Sequence, residues 1–172
     1  MLRWVLDLFK TRRARKAACA VISPMVARSR HRLGAIPDAA WESPYLIGFI
    51  VMLTTIIAKM ETGNIEGQAL CLVQTRAWED ITGISYRLVG EDILLLSASH
   101  NRDFENGCHN AAGFASLLMD GSAFVWRQRQ FDLGINAAIS WSERDDLSSL
   151  WERLFDAHVF DHSDAVEAAT PR

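Results

Sequence analysis

The chain has 172 residues, of which 49% are hydrophobic and 23% are charged. This length and balance fit one folded domain with a substantial core, and they exclude a chain that is disordered over most of its length. Residues 1–32 contain nine lysines or arginines and one acid, whereas the rest of the chain contains nine basic and 20 acidic residues. A basic segment joined to an acidic body predicts contact with that body, with a second copy or with a polyanionic surface.

Helical spacing of apolar residues begins at the N-terminus. The large apolar residues of the first turns are Trp4, Val5, Leu8 and Phe9. They predict a short amphipathic helix, and a second basic helix is predicted over residues 11–23, where Pro24 ends or kinks it. Residues 33–41, LGAIPDAAW, are typical of a linker. We therefore divide the chain into a basic extension with a linker (1–40), a helical domain (41–162) and a flexible tail (163–172).

An export leader is the alternative interpretation of the basic N-terminal segment. Arg12 and Arg13 precede only eleven mildly apolar residues, and Arg15 stands where such leaders usually carry a large apolar residue. We therefore expect a retained segment.

The most apolar stretch of the chain is SPYLIGFIVMLTTIIAKM, which carries no formal charge from Ser43 to Ala58. Ser43 is suited to cap a helix, Pro44 to begin it and Gly63 to end it. A helix over residues 44–62 would be about 28 Å long, which permits a membrane span. Its mixed composition, with two threonines in the middle, favours a core helix, and the single span is the alternative.

Five further helices are predicted downstream. The first covers residues 65–81 and stops at Gly83. Residues 84–88 alternate like a strand, but a helix over 91–99 is favoured. Asn101 is suited to cap a helix over residues 101–119, in which Gly107 and two alanines are spaced four apart and permit close helix contact.

The last two helices are predicted over residues 123–138 and 140–161, the second opened by a capping box of Ser140 and Glu143. The predicted fold is an all-α, single-domain bundle of about five to seven helices with a basic N-terminal helical extension.

Motifs with chemical meaning are few. His158 and His162 lie four residues apart with Asp161 between them, which would suit a metal site if one helix continued through all three. Cys108 and His109 are adjacent and point in different directions on a helix, so a shared proton is not expected. The chain has no phosphate-binding glycine loop. Cys71 and Cys108 fall in apolar patterns, and the odd number of cysteines favours a reducing compartment.

The expected role is that of a noncatalytic binding or adaptor domain in the cytoplasm, either free or membrane-associated. Its partner would be a protein, a second copy or an acidic lipid surface, with no sequence-specific nucleic acid, because the basic segment lacks a stacking aromatic. The contact residues proposed are Trp4, Arg12, Arg13, Arg15 and Lys16. We assign no catalytic residue, cofactor or metal. The alternatives are a domain tethered by residues 44–62 and a metal-dependent enzyme using His158 and His162.

Overall fold

The computed structural model describes residues 2–118 and 147–159, without the side chains of residues 2–7 and 86–88. Six α-helices occur in these ranges: α1 (Leu2–Leu33), α2 (Pro44–Thr62), α3 (Gly67–Thr82), α4 (Tyr86–Ala98), α5 (Arg102–Leu118) and α6 (Leu147–Trp151). A 3₁₀ helix, Asp38–Glu42, precedes α2, and a π-helical turn, Glu152–Asp156, continues α6. The described ranges contain no β-strand, so the prediction of an all-α bundle is confirmed.

Helix α2 is the centre of the bundle. It packs against α1, α3, α4, α5 and the 3₁₀ helix, and twelve of its 19 residues are buried. Among the described residues, α2 is the one helix with the length and hydropathy of a membrane span, yet 67% of its most apolar window is buried. Neighbouring helices thus cover the apolar stretch, as predicted for a core helix.

The residues predicted to begin and end α2 do so, but one predicted hydrogen bond is missing. Pro44 is its first residue, and Gly63 ends it with a φ of 78°. Ser43 is the N-cap residue as predicted, but its hydroxyl makes no capping hydrogen bond. Ser43 is buried at the junction with the 3₁₀ helix, where its amide donates to the Ala40 carbonyl and its carbonyl accepts from the Ile47 amide.

Helix α1 corrects the prediction of two separate N-terminal helices. It runs through Pro24 without interruption. Proline has no amide hydrogen and cannot donate to the carbonyl of Ala20, one turn earlier. Both residues are exposed, so water can reach that carbonyl. A backbone hydrogen bond missing on the solvent side destabilises a helix less than one missing inside the core, so α1 continues through Pro24.

The buried side of α1 joins the main core through Ala18, Ile22 and Val26. Residues 33–41, predicted to be a linker, contain most of the 3₁₀ helix and bury Ala40 and Trp41. The division of the chain into extension, domain and tail stays a prediction.

Helices α2 and α5 form the most extensive contact of the bundle. Gly48 and Gly107 lie where the two backbones approach most closely: a Cβ atom on Gly107 would lie 2.1 Å from the Tyr45 carbonyl oxygen, and one on Gly48 would lie 2.3 Å from that of Phe104. The close approach predicted from the small residues of α5 is confirmed. Asn101 caps α5 as predicted, since its side-chain oxygen accepts from the amides of Asp103 and Phe104.

The remaining elements close the core. Residues 86–98 are helical, which excludes the strand considered for residues 84–88 and starts α4 five residues earlier than predicted. Residues 147–159 bury the apolar face predicted for the last helix: Leu150, Trp151, Leu154, Phe155 and Val159. The predicted helix over 123–138, the capping box of Ser140 and Glu143, and the tail lie outside the described residues.

Candidate functional site

Helix α1 has two opposite sides, and its inner side is set by helical spacing. Buried residues recur every three or four positions along it: Thr11, Ala14, Ala18, Ile22, Val26 and Ser29. This stripe packs on α2 and α3. The positions between the stripe residues therefore face outward, and most of the basic residues are among them.

Several arginines bind the acidic body of their own chain. Arg13 pairs with Glu61 at the end of α2, and Arg32 pairs with Glu152 and the buried Asp156. Arg15 donates two hydrogen bonds to the Asp80 carboxylate, at 2.5 and 2.6 Å. The guanidinium of Arg15 lowers the pKa of Asp80. The basic helix thus lies against its own acidic body, one of the arrangements predicted from the charge distribution.

The structure divides the predicted contact residues into two groups. Arg13 and Arg15 are engaged in ion pairs. Arg12 and Lys16 are exposed and make no ion pair or side-chain hydrogen bond within the described ranges. Trp4 lies in α1, but its side chain is not among those that the structure describes.

Exposed apolar residues adjoin the unpaired cations. Leu8 is 52% exposed and Phe9 is 66% exposed. Lys10, which the sequence did not single out, is exposed and likewise unpaired in the part of the chain that is described. We call this outer surface the N-terminal face; it consists of Leu8, Phe9, Lys10, Arg12 and Lys16.

A second surface, which the sequence did not indicate, lies near the start of α2. It is a groove of about 460 Å³ between the 3₁₀ helix, α2, α3 and α4. Its apolar lining includes Trp41, Ile47, Trp78, Val89, Leu95 and Leu96, and its acids are Asp38, Glu42 and Asp92. We call it the acidic groove. Its residues come from four elements, so no local sequence pattern could bring them together.

The polar groups of the acidic groove are unused within the described residues. Asp38, Glu42 and Asp92 are exposed, and none forms an ion pair or side-chain hydrogen bond there. The buried Trp78 indole nitrogen has no hydrogen-bond acceptor among the described residues. The Trp78 ring packs edge-on against Trp41, with ring centroids 5.8 Å apart. The groove thus combines an aromatic wall with three carboxylates that have no partner in the described ranges.

The cysteines lie in different surroundings. Cys71 is exposed, so its predicted place in an apolar line was wrong. Cys108 lies at the α2–α5 contact, where burial raises its pKa to about 12. Burial and a hydrogen bond to Asp80 likewise raise the pKa of Cys19 to about 12. Both groups are thiols rather than thiolates at neutral pH, which makes them poor nucleophiles.

Of the three candidate metal ligands, His158 is the one that the structure describes. The His158 ring stacks on Tyr45 with centroids 3.6 Å apart, at the border of the core. Asp161 and His162 lie outside the described residues, so the proposed metal pair is untested. Among residues 2–118 and 147–159, no three His, Cys, Asp or Glu residues are grouped to hold a metal ion.

No protein-family model, curated protein or solved structure matches this chain. The two surfaces are therefore interpreted from their own chemistry.

Proposed function

We propose that this protein is a noncatalytic, cytoplasmic binding domain whose N-terminal face attaches to an acidic membrane surface. The observation that carries this proposal is the exposure of Leu8 and Phe9 beside unpaired cations on one side of α1. Interfacial helices have this composition, since apolar side chains enter the headgroup boundary and lysines or arginines meet anionic lipids.

The charges on the face are free to act on a lipid surface. Each lysine or arginine near an anionic leaflet contributes about 1 kcal/mol, so Lys10, Arg12 and Lys16 together supply about 3 kcal/mol. Arg13 and Arg15 are paired with Glu61 and Asp80, and the buried stripe holds α1 on the bundle. The outer side of the helix then points away from the body.

The proposed compartment rests on the thiols. Cys19, Cys71 and Cys108 are all free. Unpaired cysteines are usual in proteins of a reducing compartment. The acidic surface in question would then be the cytoplasmic leaflet, which carries anionic lipids.

Vesicle flotation tests the proposal. Full-length protein is mixed with vesicles of phosphatidylcholine alone or of phosphatidylcholine with phosphatidylserine. We expect flotation only with the acidic vesicles, and added salt should weaken it. The double variant Arg12→Gln, Lys16→Gln should bind about 30-fold more weakly, since it loses about 2 kcal/mol.

The matched control is Arg28→Gln, Arg102→Gln, which removes two exposed arginines that lie outside the N-terminal face and form no ion pair within the described ranges. It should float like the unchanged protein. Equal losses in the two double variants, or no flotation of the unchanged protein with acidic vesicles, would refute the proposal.

A further inference from the structure

The acidic groove is chemically complementary to the N-terminal face. The groove offers three carboxylates that have no partner among the described residues, around an apolar wall that includes Leu95, which is 68% exposed. The N-terminal face offers three cations that are unpaired in the same ranges, around Leu8 and Phe9. Other acids of the body, such as Glu61 and Asp80, are already paired with α1.

The apolar residues of the N-terminal face lie far from the groove of their own chain. Leu8 and Phe9 precede Arg13, which binds Glu61 near the C-terminal end of α2. The groove includes Pro44 and Ile47 at the other end of the same helix. At 1.5 Å per residue, Glu61 is about 21 to 26 Å from these two residues. Because α1 is one continuous helix fixed by its buried stripe, Leu8 and Phe9 cannot reach the groove of their own chain.

We propose that the N-terminal face of one copy docks into the acidic groove of a second copy, so that the protein self-associates head to tail. Leu8 and Phe9 lie against the apolar wall, and the cations meet Asp38, Glu42 and Asp92. The contact joins two different surfaces, so each copy keeps one free face and one free groove. Such heterologous contacts form closed rings or open chains rather than a dimer that stops.

This inference does not depend on lipid binding, although both use the N-terminal face. Acidic lipids and the acidic groove present the same chemistry to it, namely anionic groups beside an apolar surface. Self-association would therefore occupy the membrane-binding face, and acidic vesicles should dissociate the assembly.

A mixing experiment in lipid-free solution tests the proposal. In the groove variant, Asp92→Lys and Leu95→Lys reverse one charge and remove one apolar contact. In the face variant, Phe9→Asp and Arg12→Asp do the same on the other surface. All four side chains are exposed, so the fold should persist, which far-ultraviolet circular dichroism checks. Sedimentation measures the size of each species.

The unchanged protein should form assemblies larger than a dimer, and they should shrink as salt is added. Each variant alone should be monomeric. An equimolar mixture should form a dimer and grow no further, because it contains one intact groove and one intact face. The control variant Glu91→Lys, Leu94→Lys carries the same changes on the same helix outside the groove, and it should assemble like the unchanged protein.

Three results would overturn the inference: an unchanged protein that stays monomeric at its highest soluble concentration, dimers that persist in each variant alone, or a mixture that remains monomeric. The groove variant also separates the two proposals, because its N-terminal face is intact. It should still float with acidic vesicles whether or not self-association is found.

Discussion

The crossing of α2 and α5 makes a quantitative prediction at two glycines. In Gly107→Ala the new Cβ would lie 2.1 Å from the Tyr45 carbonyl oxygen and 2.9 Å from the Phe49 amide nitrogen. In Gly48→Ala it would lie 2.3 Å from the Phe104 carbonyl oxygen. These neighbours are backbone atoms, so no side-chain rotation can relieve the overlap.

The expected cost follows from the displacement. Ordinary contact begins near 3.4 Å, so the two helices must move apart by about 1 Å. A gap of that size forfeits a quarter to a half of the dispersion energy of the atoms it separates, and overpacking of this kind costs up to about 3 kcal/mol. Replacing glycine by alanine inside a helix returns about 1 kcal/mol. Each substitution should therefore lower the free energy of unfolding by about 2 kcal/mol, a Tm loss of about 4 to 8 °C.

Gly90→Ala is the matched control. Gly90 is also helical, but its Cβ would lie 3.4 Å from the Thr75 methyl group, an ordinary contact. This variant should gain up to about 1 kcal/mol from helix propensity. Urea unfolding followed by circular dichroism measures all three, with a changed midpoint and an unchanged slope as the expected sign of altered stability. Two results would contradict the close approach of the two backbones: Gly48→Ala and Gly107→Ala being as stable as the unchanged protein, or Gly90→Ala losing as much free energy of unfolding as they do.

Three further predictions concern α1 and the thiols. Ser29→Ala should cost about 1 to 3 kcal/mol, because it removes the oxygen that accepts from the buried Trp151 indole nitrogen at 2.8 Å. The pKa of Asp80 is lowered in the fold, so its stabilisation is complete above its unfolded pKa and is lost as pH falls through the folded one. The difference in urea midpoint between the unchanged protein and Asp80→Asn should thus be full at neutral pH. It should shrink once the pH falls below about 3.8, the ordinary pKa of an aspartate. In iodoacetamide, the exposed Cys71 should be alkylated before the partly buried Cys19, as peptide mass spectrometry would reveal.

Each of these has a clear contrary result. For Ser29→Ala, the control is Ser149→Ala, an exposed serine of α6, and equal midpoints in the two variants would contradict the buried hydrogen bond. A midpoint difference for Asp80→Asn that persists unchanged in acid would contradict the lowered pKa. Alkylation of Cys19 at the rate of Cys71 would contradict its burial.

Local chemistry explains which elements were predictable. Gly63 and Asn101 mark helix ends through their own conformation or side chain, so the bounds of α2 and α5 could be predicted closely. Pro24 shows the limit of that reasoning. Its effect depends on which side of α1 faces water, and that is decided by packing on α2 and α3.

The surfaces were harder to predict than the helices. Charge counting indicated that the basic segment could lie on the acidic body, but it could not select the partners, since Arg15 and Asp80 are 65 positions apart. The acidic groove left no signal in the sequence for the same reason. Asp38, Trp78 and Asp92 lie in three different elements, and only the packing of those elements makes them neighbours.

The hydrogen bond between Ser29 and Asp156 joins side chains 127 positions apart, in the first and last helices described. During synthesis, α1 leaves the ribosome long before its partner exists. At 5 to 20 residues per second, that delay is roughly 6 to 25 s. Through this interval the apolar stripe of α1 lacks part of its cover, so the nascent chain is open to chaperones and to aggregation until residues 147–159 have been synthesised.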